Sequence, residues 1–360
     1  MEILEKSKVI IAMSGGVDSS VAAVLAKEAG HEVIGATLRL KHPDPEFASA
    51  QHCAGKSDEE AIESLVDMLG IKHFYLESYS DFEKKVLYYC AKEYIRGRTP
   101  NPCCLCNKEI KFGKLLEFAK EVDAKYIMTG HYAKIVEIDK LKRLQRGDDL
   151  LKDQTYFLYN LTREELSYLY FPVGDLTKDE VRNIAARYNL ITADKPDSQD
   201  ACFSVEGEVF PETLRRLFNF RSRRGVITYN GKVVGKHDGF HKYTIGQRKG
   251  LNVALGVPAY VRKIDAEKGE VELVTDSDKL LSDSFVIRNL NFHCDNIADE
   301  FEANIQIRYR SKPAKAKFQR LDQDTFYVTP FEPLRAVTAG QAGVIYFGDI
   351  LVGGGIIDVN

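Results

Sequence analysis

Short apolar runs and amphipathic stretches alternate through the first half of the chain: KVIIAM, SVAAVLAKEAG, EVIGATL, DEEAIESLVDMLG and KHFYL follow one another in order. Strands that pair in parallel need crossover connections, and helices of this length supply them. The alternation therefore predicts a doubly wound α/β domain around a parallel sheet. Ser57 and Glu60 make a capping-box pattern near the start of the second helix, and Gly70 stops it. A long helical stretch around Phe82 to Ile95 leads into the Pro-rich loop RTPNPCCLCN, another helix and the run KYIMTGHYA.

From about Gly225 the texture becomes β-rich, with GVITYN, GKVVG, AYVRKID and EVELVTD separated by Gly, Asn or Asp turns. Beyond about Ser282, FVIRNLNF, EANIQIRYR, AKAKFQRL, TFYVTP and GVIYF continue the pattern, which fits two small β-rich modules, the second barrel-like. A chain of 360 residues exceeds the size at which one core usually keeps growing. The expected division is 1–205, 206–278 and 279–360. With 44% hydrophobic and 29% charged residues, the composition excludes disordered and collagen-like chains. No run is long enough to span a bilayer, so a cytoplasmic protein with no membrane partner is expected.

A net charge of −3 does not announce a nucleic-acid binder, but phosphate affinity depends on local clusters of Lys and Arg that an overall sum conceals. Two such clusters exist. RRLFNFRSRRG, Arg215 to Gly225, interleaves arginines with Phe218 and Phe220, and QIRYRSKPAKAKFQR carries Arg308, Arg310, Lys312, Lys315, Lys317 and Arg320 without an acid. Either is a solvated face or an RNA contact in which aromatics stack on unpaired bases. Seven cysteines, three of them crowded at Cys103, Cys104 and Cys106, point to metal binding or sulfur chemistry ahead of a disulfide framework. Cys53, Cys90 and Cys294 have no partner at useful spacing and read as inert thiols.

The sharpest local motif is Ser14-Gly15-Gly16-Val17-Asp18-Ser19-Ser20, set between an apolar strand and an amphipathic helix. Glycines admit phosphate oxygens close to the backbone, and the free N–H groups and dipole of a helix N-terminus favour an anion there. It is not a Walker A loop, because the Gly-Lys-Ser/Thr ending is missing. SGGVDSS resembles the phosphate loop of the PP-loop ATP pyrophosphatases, which cleave ATP between its α and β phosphates. The resemblance sharpens over RTPNPCCLCNKEIKF, TGHYA, LKDQTYFL, DSQDACF, YTIGQRKGL and AGQAGVIYFGD. Taken together, these motifs resemble the tRNA-specific 2-thiouridylases over nearly the whole chain.

The resemblance implies an adenine nucleotide alpha hydrolase-like domain and ATP-dependent 2-thiolation of the wobble uridine of tRNA. The uracil C2 oxygen is a poor leaving group, so it is first adenylated and then displaced by a sulfur nucleophile. Ala12, Met13, Ser14, Gly15, Gly16, Val17, Asp18, Ser19, Leu38 and Gly130 would bind ATP, with Asp18 orienting Mg2+. Asn101, Pro102, Cys103, His131, Lys152, Asp153, Gln154, Arg308, Tyr309 and Gln341 would contact the target base or the tRNA. A core leucine is the plain alternative for Leu38, and a structural histidine for His131.

Cys106 and Cys202 match the two cysteines of the family's persulfide relay, in which Cys202 carries the sulfur, Cys106 faces the base and the two end as a disulfide. Where many relatives have Asp-x-x-Cys, this chain has Cys103-Cys104-Leu105-Cys106. Cys103, Cys106 and Cys202 thus also form a set that could hold a [4Fe–4S] cluster with one iron open to sulfide. Both routes stay open, as do the donor of the sulfur and the tRNA identities; a monomer is expected. The rivals are a PP-loop amide-forming synthetase and a non-catalytic RNA-binding protein or iron–sulfur sensor.

Overall fold

The computed structural model describes residues 5–42, 44, 47, 56–196, 203, 205 and 207–359. Its two compact units each draw on separated stretches of chain. The first combines Met1–Lys85, Cys103–Glu206 and Gly348–Val352, and the second Val86–Pro102, Gly207–Phe347 and Gly353–Asn360.

In the first unit, β1 (Lys8–Ala12), α1 (Val17–Glu28), β2 (Glu32–Arg39), α2 (Lys56–Leu69) and β3 (Lys72–Glu77) follow in order. β4 (Tyr126–Met128) and β7 (Leu169–Tyr170) complete a five-stranded sheet of order β3-β2-β1-β4-β7. Every neighbouring pair is parallel, as the alternation predicts. Val9, Ile10 and Ile11 of β1 are fully buried, which is what a strand covered on both faces requires. One face packs on Val21 and Val24 of α1, with Val181 and Ala185 of α8 (Lys178–Arg187) in the same core. The strand order reverses between β1 and β4, and such a reversal opens a crevice at the carboxyl ends of the strands where ligands bind. α2 starts at Lys56, so Ser57 lies inside its first turn instead of capping it; Gly70, at φ +58°, ends it as expected.

The helical stretch expected around Phe82 to Ile95 is interrupted. α3 (Tyr79–Phe82) passes through a π-type turn, Glu83–Leu87, into α4 (Tyr88–Ile95). The cysteine loop is itself a short helix, α5 (Pro102–Cys106), followed by a second π-type turn at Asn107–Phe112 and then α6 (Gly113–Glu121). π-type turns inside α-helices are frequent at functional positions. A hairpin of β5 (Ala133–Ile138) and β6 (Leu141–Arg146) turns at Asp139 and Lys140, both with positive φ, the backbone of a tight two-residue turn.

In the second unit, α9 (Phe210–Leu217) precedes a four-stranded sheet of order β10-β11-β8-β9, formed by β8 (Gly225–Tyr229), β9 (Lys232–His237), β10 (Tyr260–Asp265) and β11 (Glu270–Val274). Its core holds Ile227, Phe240, Val261, Val271 and Leu273. Six further strands close on themselves in the order β13-β16-β15-β14-β18-β19 through a β13–β19 pairing. They are β13 (Phe285–Phe292), β14 (Glu300–Gln306), β15 (Ala314–Asp322), β16 (Thr325–Pro330), β18 (Ala342–Phe347) and β19 (Ile350–Asp358). Closure leaves no unpaired edge, and Phe318, Phe326, Val328 and Val344 fill the interior. This is the barrel-like last module that the β-rich pattern predicts. Among the described residues, no helix is long and apolar enough to cross a membrane.

Both basic stretches are partly neutralised. Arg215 pairs with Glu212 at 2.7 Å and Arg216 pairs with Glu208. Burial alone would raise the Glu212 carboxyl, yet Arg215, His241 and Lys242 around it hold its pKa at about 2. In the barrel, Lys317 pairs with Glu300 and Arg320 with Asp299, each at 2.9 Å. Arg221, Arg224, Lys312 and Lys315 remain exposed.

Candidate active site

Two of the sequence motifs meet at the strand-order reversal of the first unit. Ser14 to Gly16 connect β1 to α1, and Thr129 to His131 follow β4. Gly16 caps α1 in an extended conformation with no side-chain hydrogen bond to the first turn. The first-turn N–H groups, which side chains usually satisfy, are thus not closed off by a cap. Ser14 and Ser19 hold the loop from inside, their hydroxyl oxygens 3.2 Å apart, while Ser19 and Ser20 donate to the Gly16 carbonyl at 3.0 and 2.9 Å. Gly130 lies flat against this turn, and a Cβ there would stand 2.5 Å from the Asp18 carbonyl carbon and 2.6 Å from the Ser19 nitrogen. A cradle of glycine backbone around an open helix start fits a polyphosphate. Leu38 is half-buried at the end of β2, opposite Leu76 of β3. Ala12 and Met13 end β1 and continue it, and the Met13 nitrogen donates to the Ala36 carbonyl at 2.8 Å.

Asp18 has partners that no sequence motif announces. Its Oδ1 accepts from the Tyr132 hydroxyl at 2.7 Å, and both its oxygens accept from Lys178 Nζ, at 2.8 and 2.9 Å. The Lys178 side chain is only 10% exposed. The Asp18 side chain is still 31% exposed, and its carboxylate keeps acceptor capacity beyond these three bonds. Lys178 opens α8 just after Thr177, whose capping box with Glu180 is visible as Thr-x-x-Glu in the sequence. That pattern marks the helix start, not the partner on α1.

Tyr132 ties this network to the LKDQTYFL motif. Its nitrogen donates to Gln154 Oε1 at 3.1 Å, and its carbonyl accepts from the Gln154 nitrogen at 2.9 Å. Beyond Gln154 the chain forms a 3-10 turn, Thr155–Leu158, on which the cysteine helix is docked. Cys104 Sγ reaches the Tyr156 carbonyl at 3.6 Å, and Asn107 Nδ2 donates to the Phe157 carbonyl at 3.0 Å. Burial, reinforced by Cys103, pushes the Cys104 thiol well above its ordinary pKa, which keeps it neutral. Cys103 and Cys106 are half-buried and one helical turn apart, a spacing that puts them on one face. Two thiols so placed fit two corners of an iron–sulfur cluster. Among the described residues no group of three His, Cys, Asp or Glu side chains could hold a metal ion; Cys202 lies outside the described residues, as does Cys53.

His131 stands between Phe112 and Phe171, with ring centroids 5.7 and 5.8 Å away, and its Nδ1 lies 2.6 Å from Thr129 Oγ1. Burial, with Lys111 adding to it, holds its pKa well below the ordinary histidine value, so the imidazole is neutral at pH 7. Lys152 and Gln154 are half-buried, whereas Asp153 is buried. Asp153 pairs with Arg146 at 2.7 Å and accepts from the Gly147 nitrogen and from the nitrogen and hydroxyl of Thr155. That set makes it an internal brace of the loop. Removing one partner of a buried ion pair costs about 3–5 kcal/mol. Asp153→Ala is therefore expected to destabilise the protein by that amount in urea denaturation, whereas an unchanged midpoint with weakened tRNA binding would mark Asp153 as an RNA contact instead.

Asn101, Pro102, Arg308, Tyr309 and Gln341 belong to the second unit. Gln341 Nε2 donates to the Thr99 carbonyl at 2.8 Å, and the Thr99 nitrogen donates to the Ala339 carbonyl at 2.9 Å. Arg98 pairs with Glu93 and with Asp358, each at 2.6 Å. Gln341 Nε2 also reaches the Pro100 carbonyl at 3.4 Å, so the segment leading into Asn101 and Pro102 is clamped at Arg98, Thr99 and Pro100. Arg308 reaches the same cluster, as its Nη2 donates to the Ile245 and Ala336 carbonyls at 2.8 Å and to Thr338 Oγ1 at 2.6 Å. Tyr309 lies in the turn after it, its carbonyl accepting from Gln306 at 2.8 Å. The structure thus gathers YTIGQRKG, Arg308 and AGQAG around the start of RTPNP, although more than 240 residues separate Thr99 from Gln341.

Three family descriptions match the chain: tRNA methyl transferase HUP domain over residues 7–206, tRNA methyl transferase PRC-barrel domain over 212–275 and aminomethyltransferase beta-barrel domain over 282–357. A tRNA-specific 2-thiouridylase MnmA from Carboxydothermus hydrogenoformans is 44% identical, with 99% of each chain covered. One of the same name from Aquifex aeolicus is 42% identical over 98% of this chain and 99% of that protein. Among solved structures, a 4-thiouridine synthetase in complex with RNA and bound ATP aligns with a TM-score of 0.35 and 17% identity, covering 59% of this chain and 50% of that one, too distant to bear on function. With near-complete coverage at such identity, the chain belongs to the tRNA-specific 2-thiouridylase family.

Proposed function

We propose that this protein uses ATP to replace the C2 oxygen of the wobble uridine in tRNA by sulfur. One observation supports this above the others: within the first unit a single run of contacts leads from the open start of α1 through Asp18, Tyr132 and Gln154 to the turn that carries the cysteine helix. Phosphate cradle and sulfur nucleophiles stand on one strut. The full-length relatives at 44% and 42% identity carry the matching name.

In this reading the glycine loop and the N–H groups of α1 hold the phosphates of ATP, with Leu38 and Gly130 bordering the nucleotide. The uracil O2 attacks the α phosphorus and pyrophosphate leaves, its growing charge stabilised by the helix start. Neutral His131 stands beside the base without adding a positive charge. Asn101, Pro102 and Cys103 border the base, which must be extruded from its stack to be reached. Sulfur then attacks C2 and AMP leaves.

Two sulfur routes fit the cysteines. In the relay, the terminal sulfur of a Cys202 persulfide attacks C2, and the Cys106 thiolate takes the inner sulfur to form a disulfide. In the other, Cys103, Cys106 and Cys202 would hold a [4Fe–4S] cluster that supplies an iron for exogenous sulfide. The protein acts as a cytoplasmic monomer on tRNA, with a persulfide carrier or sulfide as donor.

The test is anaerobic thiolation of unmodified tRNA with ATP, following 2-thiouridine by mass spectrometry for iron-reconstituted wild type and Cys103→Ala. Product that requires iron, sulfide and Cys103 assigns the cluster route. Product without iron, given a persulfide donor, assigns the relay. Absence of both 2-thiouridine and tRNA-stimulated pyrophosphate release would overturn the proposed function.

A further inference from the structure

The loop before α1 is held from behind by a side chain outside every motif assigned to ATP. Lys195 Nζ donates to the Gly15 carbonyl at 3.1 Å and pairs with the carboxylate of Asp58 in the first turn of α2. Gly15 has φ +73°, and a Cβ there would meet the Asp58 Cβ at 2.6 Å and its Cα at 2.8 Å. The loop is therefore pressed against α2, a fit that a side chain at Gly15 would break. In a trans peptide the carbonyl and the following N–H point in opposite directions. Fixing the Gly15 oxygen on Lys195 consequently turns the Gly16 N–H away from it, at the residue that caps α1.

Lys195 is itself aimed by α8. Arg182 Nη1 donates to the Ala193 carbonyl at 2.7 Å and Nη2 to the Lys195 carbonyl at 3.1 Å. One turn earlier on the same helix, Lys178 grips Asp18. α8 thus reaches the phosphate loop twice, once at the start of α1 and once, through Lys195, at Gly15.

We infer that Lys195 is a positioning residue for ATP: its hydrogen bond orients the Gly15–Gly16 peptide so that the Gly16 N–H joins the first turn of α1 in holding the β and γ phosphates. The inference rests on the ATP-dependent reading of this loop given above. Its signature is selectivity. AMP, which lacks the pyrophosphate half, is insensitive to Lys195, whereas ATP and pyrophosphate are not.

The experiment titrates ATP, pyrophosphate and AMP, each with magnesium present, into the full-length wild type, Lys195→Met and Lys195→Gln, and records thermal unfolding of each. The expected result for Lys195→Met is at least a tenfold loss of affinity for ATP and pyrophosphate with AMP affinity unchanged, together with a lower melting temperature from the Asp58 carboxylate left unpaired. Lys195→Gln keeps an N–H donor and should recover most of that loss. Equal affinities in wild type and Lys195→Met, an equal loss for AMP, or no recovery in Lys195→Gln would each overturn the inference. If Lys195→Met does not fold, Arg182→Met decides, with at least threefold weaker pyrophosphate binding and unchanged AMP binding expected, and wild-type pyrophosphate affinity overturning it. A wild type that binds neither ATP nor pyrophosphate would instead remove the ATP-dependent reading itself.

Discussion

Replacing Gly130 by valine is expected to abolish tRNA-stimulated pyrophosphate release while leaving the sheet folded. The smallest added side-chain atom would stand 2.5 Å from the Asp18 carbonyl carbon, 2.6 Å from the Ser19 nitrogen and 2.8 Å from the Asp18 oxygen. All three are backbone atoms in the first turn of α1, so no side-chain rotation relieves the contact, and α1 must shift relative to β4. A displacement of about 1 Å in positioning groups can cost on the order of a hundredfold in rate. The branched valine should therefore reduce pyrophosphate release by at least about a hundredfold, and Gly130→Ala by less. The measurement is pyrophosphate release with unmodified tRNA, alongside circular dichroism to verify helix content. A valine variant within threefold of wild type would falsify the placement of Gly130 against the nucleotide loop.

Cys106→Ser is expected to separate the two half-reactions. A serine hydroxyl cannot serve as the sulfur nucleophile or as a soft metal ligand, so both sulfur routes lose an essential group. Removing a nucleophile of this kind commonly costs at least about three orders of magnitude. Thiolation should fall below detection, while pyrophosphate release persists because the phosphate cradle is built from the separate segments Ser14–Ser20 and Thr129–His131. Cys104→Ser is the contrast. Its thiol is buried and kept neutral against the Tyr156 carbonyl, so that change should act on stability and leave the sulfur chemistry largely intact. If the Cys104 variant lost 2-thiouridine formation while the Cys106 variant retained it, the roles of the two neighbours would have to be exchanged.

The LKDQTYFL segment shows how much of the candidate site depends on one strut. Gln154 engages Tyr132 through both its backbone and its side chain, Thr155 closes on Asp153, and the turn Thr155–Leu158 carries the cysteine helix through Tyr156 and Phe157. The motif was legible as a motif in the sequence. Its division into a buried brace at Asp153 and half-buried neighbours at Lys152 and Gln154 was not, because a charged residue in a polar loop has no local signature of burial.

The features legible in the amino-acid order are local or periodic. The alternation of apolar strands and amphipathic helices dictated a parallel sheet, because only crossover connections join parallel strands. The later β-rich runs with Gly, Asn and Asp turns dictated two small β-rich modules, but not that β8 and β11 of the first module pair in parallel. The glycines of SGGVDSS marked a backbone that must approach another group closely, and the order of the motifs identified the family. Tertiary structure alone decided which side chains meet. Asp18 finds Lys178, Gly15 finds Lys195, Thr99 finds Gln341, and Ile245 finds Arg308. Each pair is joined across 63 to 242 residues of chain. The choice of partner follows from strand order and from two units that each borrow distant segments. Periodicity reports which face of an element is apolar, but it does not say which other element covers that face.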